Sequence, residues 1–431
     1  MPRAARNDRK TIFGWVLFDF ANSAYTTLVV TFIYSTYFVK AIAPDEISGT
    51  TLWSWGVAAT SIFVALFSPV LGAVADQGGY RKKFLFISTL FAVAGTVMLH
   101  FVMPGQVMPA LVWFVVSNIA FEFTMVFYNA FLPEISTKEN IGRISGIGWG
   151  VGYIGGLLAL VVAMAGFVSP ETPWFGLSKD TGEHLRATNL LVAVWFAVFS
   201  LPLFLFVRQK APARPVTAFK AAKEGIRDLA ATFREVKKYK EIVLLLAARL
   251  IYNDGLVTIF AFGGIYAAGT FGFTFNEIML FGIAINVSAG LGALLMGLMD
   301  DRLGGKKTIQ FSNVALALAT LLAVVSPSKQ LLWVAGILIG FFAGPNQSAS
   351  RSLLGRFVPN DKENQFFGFF AFSGKLTAFM GPILLGFLTE MFHSQRAGVS
   401  VIILFFVAGG LILHLVDEEA GLRAAGTDNP G

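Results

Sequence analysis

Gly72-Ala-Val-Ala-Asp76-Gln-Gly-Gly79-Tyr-Arg81-Lys82 and Gly297-Leu-Met-Asp-Asp301-Arg-Leu-Gly304-Gly-Lys306-Lys307 are two copies of one pattern. Each has a glycine, an aspartate four residues on, a glycine turn and then a basic pair. The two aspartates lie 225 positions apart. Further along, Pro133…Lys138-Glu-Asn140…Gly142 recurs as Pro359…Lys362-Glu-Asn364…Gly368 at almost the same offset. A constant offset through separate segments marks an internal duplication. Both copies of the first pattern sit between long apolar runs. A helix rises 1.5 Å per residue, so about 20 apolar residues cross a bilayer. Twelve such runs are predicted. Six fall at roughly 12–39, 53–75, 84–103, 109–132, 144–168 and 189–207. Six more fall at roughly 242–268, 276–299, 308–326, 331–350, 365–391 and 399–416.

Composition agrees. The 431 residues are 55% hydrophobic and 14% charged, with 44 Phe, 4 His and no Cys. An ordinary soluble domain carries about 25% charged residues. Soluble enzymes, disordered chains and disulfide-stapled scaffolds are excluded, as are thiolate metal sites and cysteine nucleophiles. No cofactor or metal site is expected. Most of the 33 Lys and Arg fall in loops on one side of the predicted spans, among them Arg3, Arg6, Arg81, Arg302, Lys306, Arg351 and Arg356. Only Lys40, Lys179, Arg186, Lys329 and Arg396 lie on the other side. The positive-inside rule then places both termini in the cytoplasm. The +7 net charge belongs to membrane topology and not to a nucleic-acid partner. The first span is too long, and with Asp19 and Asn22 too polar, for a cleaved signal peptide.

Residues 208–240 form the longest polar stretch, with Pro212, Pro215 and ten basic residues, and separate six spans from six. It reads either as a solvated linker or as carrying a helix near 217–238 on a lipid surface. Two parallel six-span repeats are the layout of a secondary transporter with its site between the halves.

The duplicated pattern after spans 2 and 8 resembles the signature of the major facilitator superfamily, with one extra residue between the Asp and the basic pair in each copy. More narrowly, the chain resembles the autophagy-related vacuolar amino-acid effluxers and their bacterial relatives. The resemblance rests on Trp15-Val-Leu-Phe-Asp-Phe-Ala-Asn-Ser-Ala-Tyr25, Tyr128-Asn-Ala-Phe-Leu-Pro-Glu-Ile135 and Ala248-Arg-Leu-Ile-Tyr-Asn-Asp-Gly255. It rests also on Phe366-Phe-Gly-Phe-Phe-Ala-Phe-Ser-Gly-Lys375 and Gly381-Pro382. It implies transport of amino acids or related metabolites, and a gating role for Gly72, Asp76, Arg81, Gly297, Asp301, Arg302 and Lys306.

Ionisable residues inside a span cost about 2.5–3.5 kcal/mol each on insertion scales, which makes them candidates for function. Asp19, Asn22 and Thr26 share a face of span 1, and Tyr25 lies beside them. Asp19 sits about 12 Å deep. It reads as a proton carrier, a substrate-amine partner or a structural partner of an Arg. Asn118, Glu122 and Asn129 form a stripe on span 4, since eleven residues close within about 20° of three turns. Glu122 lies near mid-membrane and suits reversible protonation. Gln347 is its repeat partner. Span 7 offers Arg249, Asn253 and Asp254, and span 11 offers Lys375. Glu122 with Arg249 and Asp254 with Lys375 are the expected pairs. Trp149 and Tyr252 are candidate cavity residues. The glycines between Gly142 and Gly156 predict close helix packing, since the strand and downstream acid of a dinucleotide site are missing. Gly344-Pro345 and Gly381-Pro382 predict kinks.

The expected fold is an all-α membrane protein of twelve helices in two six-helix pseudo-symmetric halves, 1–207 and 241–416, with a linker at 208–240 and a cytoplasmic tail at 417–431. The expected function is alternating-access transport of a small solute, coupled to protons, by a monomer in a bacterial inner membrane. A multidrug or other metabolite effluxer of the same fold is the nearest alternative, and a non-transporting receptor the next. No Walker loop is present, and no catalytic constellation points to an enzyme.

Overall fold

The computed structural model describes residues 8–209, 218–235 and 237–427. Arg3, Arg6, Pro212 and Pro215 lie outside them. Among the described residues, twelve helices are long and apolar enough to cross a membrane. Spans 1 to 6 are Arg9–Ile42, Glu46–Gly78, Arg81–His100, Val107–Ile135, Ile141–Val168 and Glu183–Phe206. Spans 7 to 12 are Lys240–Phe271, Glu277–Leu303, Gly305–Val325, Lys329–Phe357, Glu363–Phe392 and Gln395–His414. The apolar residues on their outer surfaces, Leu66, Phe91 and Leu404 among them, stay exposed, as a lipid-facing shell requires.

Spans start and stop where the sequence supplies caps. Asp45 accepts hydrogen bonds from the Ile47 and Ser48 amides at the start of span 2. Thr274 and Glu277 form a reciprocal capping box at the start of span 8. Gly79 ends span 2 at φ 61°, a left-handed conformation that costs glycine nothing.

The two halves meet along two seams. Span 2 lies against span 11, and span 5 against span 8. The glycines of span 5 serve two faces. A Cβ on Gly146 would stand 2.4 Å from the Ala293 carbonyl of span 8. One on Gly155 would stand 2.3 Å from the Phe20 carbonyl of span 1. Alternate glycines therefore let span 5 approach a helix of its own half and one of the other half at backbone distance.

Four spans depart from simple α winding among the described residues: span 4 breaks at residues 130–131, span 5 ends π-helical over Met164–Val168, and spans 1 and 11 depart further. Span 1 is α-helical over Arg9–Ala24, then π-helical over Tyr25–Phe32 and again over Phe38–Ile42. Span 11 is interrupted between Lys375 and Met380, just before Gly381-Pro382. Span 10 runs through Pro345 as one helix.

Two short helices flank the bundle. Ala218–Arg234 lies against span 2 and is tied to span 11. Gln365 Nε2 donates to Thr232 Oγ1 at 2.9 Å, and Lys362 Nζ to Asp228 Oδ1 at 3.0 Å. Glu418–Thr427 docks through Glu418, which accepts from the Gly305 and Lys306 amides at the start of span 9.

Candidate functional site

A cavity of about 1080 Å³ lies between the halves. Its walls come from the half of the bundle remote from the chain termini: the second part of spans 1 and 7 and the first part of spans 8, 10 and 12. Thr31, Thr36 and Thr50 are exposed within it, so it opens on the face opposite the termini. Trp149 and Tyr153 of span 5 and Gln347 of span 10 lie at its deeper end, where Gln347 Nε2 donates to the Tyr153 hydroxyl at 3.3 Å.

Toward the termini the halves are bonded to each other. Arg351 of span 10 is almost wholly buried and reaches into the first half. Its Nη1 donates to Asp19 Oδ2 at 3.0 Å and to Asn129 Oδ1 at 3.2 Å. Its Nε donates to Ser145 Oγ at 2.9 Å and its Nη2 to the Ser145 carbonyl at 2.7 Å. The guanidinium also lies 4.8 Å from the Trp15 ring and 5.6 Å from the Trp149 ring. A planar fork with aromatic neighbours and carbonyl, amide and carboxylate acceptors is a setting that arginine fits and lysine does not.

On the other side of the bundle, Lys375 Nζ of span 11 donates to Glu122 Oε1 of span 4 at 2.6 Å. Lys375 is the last residue before the interruption in span 11. Arg249 donates to the Phe370 carbonyl at 2.7 Å and to Ser373 Oγ at 2.9 Å, and its guanidinium lies 3.6 Å from the Phe370 ring. Asn253 Nδ2 donates to the Gly374 carbonyl at 3.2 Å, and Thr377 Oγ1 to Asp254 Oδ1 at 3.1 Å. Discontinuous membrane helices free backbone groups at depth, and polar side chains of span 7 take them up here.

At the terminus-bearing face the duplicated aspartates do one job twice. Asp76 accepts from the Asn364 amide at 3.1 Å and the Gln365 amide at 2.8 Å, the second and third residues of span 11. Asp301 accepts from the Gly142 amide at 2.8 Å and the Arg143 amide at 3.1 Å, the second and third residues of span 5. The carboxylate ending the second span of each half thus caps the fifth span of the other. It meets unpaired amides and the positive end of a helix dipole. Arg81 bridges the halves, with Glu134 at 3.1 Å on one side and Glu363 at 3.0 Å on the other. A Cβ on Gly72 would lie 2.2 Å from the Asn364 carbonyl. Gly297 packs against the Gly142 carbonyl, at 3.0 Å by the same measure.

Several expectations are corrected by this geometry. Glu122 pairs with Lys375 and not with Arg249, and Asp254 bonds Thr377 and not Lys375. The Arg249 contacts above are all within the second half, to span 11. Arg351 and Arg356, expected in a loop, lie buried in the last turns of span 10. Gly72, Asp76, Gly297 and Asp301 are helical and not in loops. Arg302 is exposed, and Lys306 binds the His414 and Val416 carbonyls beside the C-terminal helix. At the position equivalent to Arg81 the second copy has Lys306; Arg356 of span 10 is held within its own half by Asp300 at 2.5 Å and Asp301 at 3.4 Å. Tyr25 and Tyr252 are fully buried, each bonded to a serine of the fourth span of its own half, Ser117 at 2.8 Å and Ser350 at 2.7 Å. Asn22 donates to Asp19 at 3.4 Å and Asn118 is buried. Asp19, Asn22, Asn118, Glu122, Arg249, Asn253, Asp254 and Lys375 therefore do not surround one chamber. They divide between two clusters, and of the expected set Gln347, Trp149 and Thr26 line the cavity.

Known proteins share this architecture. A family profile described as vacuole effluxer, Atg22 like, matches residues 39–426. The MFS-type transporter YxiO of Bacillus subtilis (strain 168) is 27% identical over 96% of this chain and 97% of its own length. Autophagy-related protein 22 of Yarrowia lipolytica is 21% identical over 82% of this chain and 73% of its own. Among solved structures, the proton:xylose symporter XylE is similar with a TM-score of 0.73 at 14% identity, over 97% of this chain and 98% of that one. The transporter FucP in its outward conformation has a TM-score of 0.73 at 12% identity, over 95% and 98%. At these identities the structures speak for the fold alone: an all-helical major facilitator bundle of twelve spans.

Proposed function

The chain belongs to the Atg22-like family of vacuole effluxers, and from that premise we propose that it is a proton-coupled transporter of a small solute working by alternating access. One observation carries the reading. A cavity between the halves is open on one face, while the other is closed by bonds that each join one half to the other. That is one end state of a rocking cycle around a central site. The other end state requires these bonds to break together.

Residues 1–207 and 241–416 are the two rocking bodies, joined through 208–240, with both termini in the cytoplasm. In this orientation the cavity faces away from the cytoplasm. Glu122 is the favoured proton carrier. It is a largely buried carboxylate whose one cationic partner among the described residues, Lys375, sits on the opposite half beside a helix interruption. Protonating Glu122 removes an attraction across the interface, which is the coupling that a symporter or antiporter needs. Asp19 serves instead as an interface lock, because Arg351 of the other half donates to its Oδ2 while Asn22 donates to its Oδ1. The family's amino acids and related metabolites are the substrates to try first, with a broader effluxer of the same fold as the competing reading.

The test is solute counterflow in proteoliposomes holding the purified chain, with and without a proton gradient. Gradient-stimulated flux that Glu122→Gln abolishes, while exchange persists, supports the assignment. Flux indifferent to the gradient in the parent protein removes proton coupling. Absence of flux for every solute tried removes the substrate assignment.

A further inference from the structure

The chemistry of the cavity wall narrows what it holds. Among the described residues that line it, none is charged. The charges of the membrane interior do not line it: Asp19–Arg351 and Glu122–Lys375 are paired, while Arg249 and Asp254 bond neutral groups of span 11. The two walls also differ in kind. The first half contributes a hydroxyl stripe from span 1: Ser23, Thr26, Thr27, Thr31 and Thr36. The second half contributes mostly apolar surface, with Phe260, Phe262, Ile265, Phe281 and Ile283 along spans 7 and 8.

The winding of span 1 produces the stripe. Thr26, Thr31 and Thr36 are spaced five apart, so α winding would rotate each about 140° from the last. The π segment Tyr25–Phe32 closes its bonds at i→i+5 and brings Thr31 back toward the line of Thr26, while Thr36 lies on the short α turn Tyr34–Tyr37 that follows. Thr31 Oγ1 donates to the Thr26 carbonyl, five residues back, at 2.8 Å. Thr26 and Thr36 likewise donate to carbonyls of their own helix, at 3.1 and 2.7 Å. A hydroxyl that spends its proton this way turns its lone pairs outward. The stripe is therefore a row of acceptors. The Trp149 Nε1–H at the deeper end and the Thr258 hydroxyl, which lies against Gly381 of span 11, are buried without a protein partner.

A charged group entering this space sheds hydration and meets no opposite charge, which is costly in a low-dielectric site. A neutral edge bearing N–H or O–H donors finds acceptors, and an apolar body finds the facing wall. Resting on the transport reading above, we propose that the cavity selects an uncharged, amphipathic solute, with its hydrogen-bonding edge on the span 1 threonines and its apolar side on spans 7 and 8. Free zwitterions and ions are selected against, which favours neutral related metabolites over free amino acids within that transport reading.

The test uses four probes that share one phenyl body: N-acetyl-L-phenylalaninamide, L-phenylalanine, 3-phenylpropionate and 2-phenylethylamine. Binding to the full chain in nanodiscs is measured by equilibrium dialysis of labelled probe. The uncharged probe is expected to bind at least about tenfold tighter than the other three. Thr31→Val is expected to weaken it about tenfold, the loss of one well-made hydrogen bond. Equal or tighter binding of the zwitterion overturns the proposal, as does no binding by the uncharged probe. The chain has no cysteine, so single cysteines at Thr36 and Ile141 report each face independently. If the Ile141 reporter becomes reactive under some condition while the probe series fails, the substrate class falls and alternating access stands. If it never does, alternating access itself falls.

Discussion

Replacing Asp19 with Asn tests whether the Arg351 fork holds the terminus-bearing face shut. Arg351 makes four hydrogen bonds in the closed interface, of 2.7 to 3.2 Å, and Asp19 is the carboxylate among the acceptors. Asparagine keeps an acceptor oxygen and removes the charge. Stripping a buried cation of its counter-ion costs about 3–5 kcal/mol, and the retained acceptor puts this case near the lower end. The cost falls on the closed state, because opening gives the guanidinium water. A shift of about 3 kcal/mol changes the ratio of open to closed forms by roughly 100-fold. Ile141 is the reporter: it is buried, with its side chain against Gly355 of the other half. With Ile141→Cys in the cysteine-free chain, a membrane-impermeant maleimide should label Asp19→Asn far faster than the parent. Adding Arg351→Met should restore slow labelling, since charge and partner then leave together. If Asp19→Asn folds normally and labels at the parental rate, or if the double variant labels as fast as the single, the lock assignment is wrong.

Four further outcomes follow from the same geometry. Glu122→Gln should drop gradient-driven flux at least about tenfold while leaving exchange measurable, whereas Lys375→Met should weaken both, because it leaves the carboxylate without its cation. Asp76→Asn and Asp301→Asn should raise Ile141 labelling by similar amounts, each losing a charge–dipole contact worth about 0.3–1 kcal/mol. Unequal effects would argue against the symmetric capping. Gly72→Ala should open the same face through a clash with the Asn364 carbonyl, at a cost of about 1–3 kcal/mol, read as faster labelling with unchanged expression. Arg81→Lys should open it more than either aspartate variant, because a point charge cannot span both Glu134 and Glu363; labelling no faster than in Asp76→Asn would refute this.

The twelve spans were legible because length and hydropathy alone identify a membrane helix, and the repeat at a constant offset exposed the halves. Asp76 and Asp301 were legible for the same reason, as a duplicated pair in a fixed context. Their partners were not. That a helix start at Glu363 would meet Asp76, or one at Ile141 meet Asp301, depends on how two rigid halves are placed, which no local pattern encodes. Glu122 and Lys375 met for the same reason, whereas pairing by sequence chose Arg249. Arg351 was misplaced by hydropathy: the apolar run ends near residue 350, yet span 10 continues to Phe357, and Arg351 is covered there by the opposite half. The cavity's hydroxyl stripe did carry a signal. Threonines at 26 and 31 are five apart, the i→i+5 spacing of the π segment on which both lie.

The distribution of polar groups explains why charges lie where solute does not. Every ion pair between the halves, among the described residues, lies on the closed side: Asp19–Arg351, Glu122–Lys375 and Arg81–Glu363. On the open side, ion pairing stays within one half, as between Lys329 and Glu277. Closing the open side must therefore rely on bringing the apolar wall of spans 7 and 8 over the threonine stripe, with the solute between them. Opening the other side must release carboxylates and guanidinium groups to water, which solvates them well. Each face then has its own currency of closure: directed charge-assisted bonds on one, apolar burial on the other. A charged solute would add to the burial side a desolvation cost that nothing there offsets. A neutral amphipathic solute adds apolar area and leaves the ion pairs to time the opposite face. The uncharged cavity and the charged seam beneath it are thus two parts of one division of labour, in which the seam sets when the protein opens and the cavity sets what it carries.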